Sequence, residues 1–83
     1  MNEVEKFLIA SYLYYIAYEE TPMTDYEFDM LCKDMLKKWN TVHHRYKHLI
    51  TEEMLACGTG HNLREEDYPE DIKAMAKITL DKR

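Results

Sequence analysis

Glycine, proline and cysteine are scarce in this chain of 83 residues, which carries two of each. Gly58 and Gly60 flank a single Thr59, too short a run to wrap a phosphate, and no G-x-x-x-x-G-K-[ST] occurs. Cys32 and Cys57 are too few for a disulfide framework. No apolar run approaches twenty residues and no signal peptide opens the chain, so a soluble, cytoplasmic protein without a membrane partner is expected. Basic residues are outnumbered, 11 against 16, for a formal net charge of -5. That balance argues against nonspecific nucleic-acid binding, which needs cations to neutralise phosphates, and suits an acidic protein meeting a basic partner surface. Repeats, low-complexity tracts and convincing strand patterns are also missing.

What remains is helical. Residues 2–20 contain neither Gly nor Pro, with Asn2 placed to cap and Glu3 and Glu5 in the first turn, where the helix dipole favours negative charge. Val4, Phe7, Leu8, Ile9, Leu13 and Ile16, joined by Tyr12, Tyr14, Tyr15 and Tyr18, fall on nearly every side of that helix. A helix so apolar is either central to the fold or covered by a partner. After a turn at Pro22, Thr24-Asp25-Tyr26-Glu27 reads as a capping box, the Thr24 hydroxyl meeting the Glu27 amide and the Glu27 carboxylate the Thr24 amide. Phe28, Leu31, Cys32, Met35, Leu36 and Trp39 then form one apolar stripe, a second helix over about 25–39. The short turn makes the two helices an antiparallel hairpin.

Residues 41–50, TVHHRYKHLI, read as loop or irregular turn. Thr51 caps a short helix over about 52–57, which Gly58 ends. Pro69 opens a last helix over about 69–81, with Ile72, Met75, Ala76 and Thr79 facing inward. The reading is a single small all-α domain, 1–83, in which only a modest core can form.

One place gathers chemistry. Asp25, Phe28 and Asp29 share a side of the second helix's first turn, across from the tyrosines that end the first. Two carboxylates facing aromatic rings could seat a flat cationic or hydrogen-bonding ligand. Capping and dipole placement account for Asp25 as well, and for Asp29 less well; core packing with hydroxyls at the rim is the alternative for each tyrosine.

Tyr14-Tyr15, the turn at Pro22 and Thr24-Asp25-x-Glu27-Phe28-Asp29-x-Leu31-x-x-x-Met35 together resemble the N-terminal helical subdomain of bacterial NAD-dependent DNA ligases. The resemblance covers residues 5–40, about half the chain. It implies that this hairpin holds the nicotinamide mononucleotide (NMN) half of NAD, with Tyr14, Tyr15, Asp25, Phe28 and Asp29 as its binding residues. Phe28 stands where the ligases usually have Tyr, Tyr15 where many have His, and the turn is shifted by about one residue. Residues 41–83 are an extra helical segment; HLITEEMLACGTG with YPEDIKAMAK looks similar to small phage-encoded proteins related to ligases.

The ligases form a lysyl-adenylate at a Lys-x-Asp-Gly motif, and here no Asp is followed by Gly. The chain is therefore expected to be no autonomous ligase but a non-catalytic NMN or NAD binding module, alone or beside a separate catalytic chain. The alternative is a phage-type interaction module that reuses the hairpin as scaffold against a host or phage protein, or against itself as a homodimer through the first helix. His44, His48, Cys57 and His61 form a second group, of ligand types zinc accepts. They lack Cys-x-x-Cys spacing, and the neighbouring His43 reads as plain surface histidine, so no metal is expected.

Overall fold

The computed structural model describes residues 2–19, 23–58 and 63–81. The first helix, α1 (Glu3–Ser11), begins where the sequence places it. Asn2 accepts a hydrogen bond from the Val4 amide at 2.7 Å, and Glu5 reaches back to the Asn2 amide at 3.3 Å. Val4, Phe7, Leu8, Ile9, Ala10 and Leu13 are all buried, so the all-round apolar character of this helix is met within the chain itself. Helix α1 is the centre of the fold.

Helix α2 (Asp25–Lys37) covers one side of it, antiparallel, with Glu3 at the start of α1 paired to Lys38 at the end of α2. Phe7 stacks on Phe28, ring centroids 5.2 Å apart, while Cys32 and Met35 fill the space below. Helix α3 (Glu52–Cys57) packs on α2 and brings in Met54 and Leu55. Helix α4 (Glu70–Asp81) covers another side of α1 with Ile72 and Ala76. Among the described residues there are four α-helices and no strand, an all-α fold, and no helix is long and apolar enough to cross a membrane.

Three boundaries differ from those read in the sequence. The first helix does not run to residue 20. After Ser11 it widens into a π turn (Tyr12–Ile16), with the Ala17 amide bonded to the Tyr12 carbonyl. It then stops at Tyr18, which takes a left-handed φ of 56°. Helix α2 ends at Lys37, because Trp39–Thr41 tighten into a 3₁₀ turn as the Thr41 hydroxyl donates to the Lys38 carbonyl at 2.7 Å. Pro69 lies just outside α4, its carbonyl accepting from the Lys73 amide.

The stretch 41–50 is irregular as expected, with a 3₁₀ turn over Lys47–Leu49, yet it is well tied down. Tyr46 and Arg45 donate to the two oxygens of Asp71 on α4, at 2.7 and 2.6 Å, and Lys47 lies over the Trp39 ring. Hydrogen bonding from Tyr46 holds the Asp71 carboxyl below its ordinary value. Gly58 ends α3 with φ 66°, and a Cβ there would stand 3.3 Å from an Asp29 oxygen. The position suits glycine on both counts.

Two titratable groups are held neutral in the core. Burial pushes the Cys32 thiol from 9.0 up to about 11, with the Asp29 charge adding to the effect. Burial pushes the Tyr68 phenol from 10.0 up to about 12, against the opposing hydrogen bond with Ser11 at 2.7 Å. In each case the folded state holds its proton more tightly than the unfolded chain. The stabilisation is complete below about pH 9 and is lost as pH rises through 11 and 12. Urea midpoints are expected to fall over that window. Tyr68→Phe should start about 1 kcal/mol less stable at pH 7, from the lost hydroxyl pair, and fall less steeply above pH 10.

Candidate ligand cleft

Where the two hairpin helices part, they leave a cavity of about 190 Å³. Ala10, Ser11 and Phe28 line its inner part. Ser11 is buried with its hydroxyl on Tyr68, and the Phe28 ring is fixed by Phe7. Tyr14 and Tyr15 line it from the first helix, their rings edge to face with centroids 4.8 Å apart. Met23, Thr24 and Asp25 line it from the start of α2. A wider, more open cleft of about 780 Å³ shares these walls and adds Tyr18 and Glu19 at its rim.

The π turn positions the aromatic wall. Its i to i+5 bonding spreads residues over a wider turn than the 3.6 of an α-helix, so successive side chains are less than about 100° apart. Tyr14 and Tyr15 can therefore both flank the cleft. The opposite wall is set by the capping box on α2. The Glu27 amide donates to the Thr24 hydroxyl at 3.1 Å, and the Thr24 amide donates to the Glu27 carboxylate at 2.9 Å. The Thr24 amide, and after it the Thr24 hydroxyl, hold the Glu27 carboxyl below its ordinary value by hydrogen bonding. They also fix the direction in which α2 leaves the turn, and with it the place of Asp25.

Of the five residues read as a binding set, Tyr14, Tyr15, Asp25 and Phe28 line the cavity. Asp29 does not. It lies one turn further along α2, paired to Lys33 at 2.9 Å, with its other oxygen beside Gly58 at the end of α3. Sharing a helical face with Asp25 was not enough, because the cavity is only one turn deep along α2.

Ser11, Met23 and Glu19 line the space without having been singled out. Ser11 carries a signal, as a hydroxyl inside an otherwise apolar helix. Glu19 carries none, since its place follows from the left-handed turn at Tyr18.

The described members of the histidine group are not gathered as a ligand set. The Nδ1 of His44 accepts from the Tyr46 amide at 3.1 Å, and its Nε2 faces Glu5 at 3.5 Å. Cys57 is exposed at the end of α3, His48 is exposed on a 3₁₀ turn, and His61 lies outside the described residues. Among the described residues no three His, Cys, Asp or Glu side chains are grouped to hold a metal ion.

Comparison with family models, curated proteins and solved structures gives no match for this chain.

The cleft's chemical capacity follows from its walls. Tyrosine faces can stack on a flat ring, and attract a cationic one through the ring quadrupole. The Asp25 and Glu19 carboxylates can accept bonds from hydroxyl or amide groups. The strain at its rim is concentrated in Tyr18, whose side chain is 86% exposed and adds almost nothing to the core. A left-handed tyrosine costs about 1–2 kcal/mol that glycine avoids, partly offset by the freedom glycine has when unfolded. Tyr18→Gly is expected to raise the urea-derived stability by about 0.5–1 kcal/mol, while removing a ring from the cleft.

Proposed function

We propose that this chain is a non-catalytic module that binds the nicotinamide end of NAD or NMN, alone or in trans with a separate catalytic chain. The observation that carries this reading is the shared lining of one cavity by Tyr14, Tyr15, Asp25 and Phe28, residues set ten or more positions apart across the turn. The nicotinamide ring stacks against the tyrosines, and Asp25 accepts from a ribose hydroxyl or from the carboxamide. Phe28 closes the inner end as an apolar surface, without the hydroxyl that a tyrosine would present there. The likeness of the hairpin to the ligase subdomain supports the same ligand.

Calorimetric titration with NAD and with NMN tests it. Saturable binding is expected, weakened at least about tenfold in Asp25→Ala by loss of a charge-assisted bond. Asp29→Ala should bind as the parent does, since Asp29 stands outside the cleft. No heat at millimolar ligand sinks the proposal.

A second reading, as an interaction module, is favoured by the outer face of α2. Tyr26 is 72% and Met30 46% exposed, at i and i+4, beside a shallow groove shared with Met23 and Leu31. The homodimer expected through the first helix loses its motive, because the apolar residues of α1 are covered by α2 and α4. Self-association through α2 takes its place in this reading. Sedimentation equilibrium then shows a dimer of the 10.0 kDa chain that Tyr26→Glu/Met30→Glu dissociates with unchanged helicity. A monomer at every concentration excludes a homodimer.

A further inference from the structure

None of the described residues that line the cleft offers a counter-charge for a phosphate. From Phe7 to Cys32 the chain contains no Lys, Arg or His, while Glu19, Glu20, Asp25, Glu27 and Asp29 all fall within that stretch. Outside it the remaining acidic residues are matched in number by the eleven Lys and Arg, so the formal net charge of -5 belongs to this stretch. Two of its carboxylates, Glu19 and Asp25, line the open cleft. Lys33, the first basic residue beyond the stretch, is engaged with Asp29 at 2.9 Å and lines neither the cavity nor the cleft.

A helix N-terminus is the other common seat for a phosphate. At α2 the protein's own groups already engage part of that seat. The Thr24 amide already donates to the Glu27 carboxylate and the Glu27 amide to the Thr24 hydroxyl, with Asp25 and Glu27 adding negative charge to the first turn. The walls that remain are aromatic. Tyr14 and Tyr15 sit edge to face, with Tyr18 at the rim, and ring faces attract cations as carboxylates do. Charge and rings thus select in the same direction.

Resting on the nicotinamide reading above, we infer that the cleft recognises the oxidised, positively charged pyridinium riboside by its charge and disfavours the phosphate, so that the isolated chain binds nicotinamide riboside in preference to NMN. A phosphate-bearing ligand then needs a basic surface on a second chain to meet its phosphate. A phosphate within about 8 Å of two carboxylates in a watery cleft is repelled enough to cost roughly tenfold in affinity at low salt. Removing the ring's charge costs roughly fivefold, through the lost attraction to rings and carboxylates.

The experiment is calorimetric titration of the full chain with nicotinamide riboside, with its uncharged dihydro form and with NMN, at about 20 mM and about 200 mM salt. Expected is the riboside binding about tenfold more tightly than NMN at the lower salt, the gap narrowing at the higher, and the dihydro form about fivefold weaker than the riboside. The isosteric pair Glu19→Gln/Asp25→Asn should shrink the preference over NMN, with helicity checked by circular dichroism. NMN binding as tightly as the riboside, or the dihydro form matching it, overturns this inference and leaves the nicotinamide reading standing. No heat from any of the three removes both.

Discussion

Burial of α1 on nearly all its sides is the constraint on which the rest of this structure depends. In 83 residues only one helix can be central, and Phe7, Leu8 and Leu13, with no exposed surface, mark which one it is. Helices α2 and α4 lie on it from different sides, and the segment 41–50 and α3 close the remaining gaps. The stacked Phe7 and Phe28 rings tie the hairpin, and the Ser11–Tyr68 hydroxyl pair ties the first helix to the chain entering α4, 57 residues away. With so small a core, stability of the order of 5 kcal/mol is expected, and each of these ties is a sizeable part of it.

The cleft is a consequence of that arrangement. The hairpin helices touch closely where Phe7 meets Phe28 and part towards the turn, and rigid side chains bound the space between them. Its floor is made of core residues, so the inner cavity is as well fixed as the fold. Its rim consists of exposed tyrosines and carboxylates, which the core does not require. This division, apolar and rigid inside, polar and displayed outside, is what a small-ligand site needs.

Local chemistry was legible in the sequence and distant chemistry was not. The caps at Asn2, Thr24 and Thr51 and the glycine stop at Gly58 depend on residues within three or four positions, and each forms as read. The central place of the first helix was one of two readings its composition allowed, and only packing chose between them. The clasp of Tyr46 and Arg45 on Asp71 joins residues about 25 apart, with no pattern to announce it. For the cleft, the sequence placed Tyr14, Tyr15, Asp25 and Phe28 on facing sides of a turn. It misjudged Asp29, since helical periodicity gives direction around the axis but not depth along it. The π turn escaped notice because five aromatic and aliphatic residues fit α or π bonding equally well.

That turn also determines how much the site tolerates changes in length. A π turn is an α-helix carrying one additional residue. Deleting one residue within Tyr12–Ile16 would remove that addition and restore regular α-helix, leaving the chain beyond it on nearly its present course, where the same deletion in regular helix would swing it by about 100°. The core from Val4 to Ser11 precedes the turn and would keep its packing, while Leu13 and the paired rings of Tyr14 and Tyr15 would settle into a narrower turn. A single-residue gap is therefore borne better inside Tyr12–Ile16 than within α1 or α2.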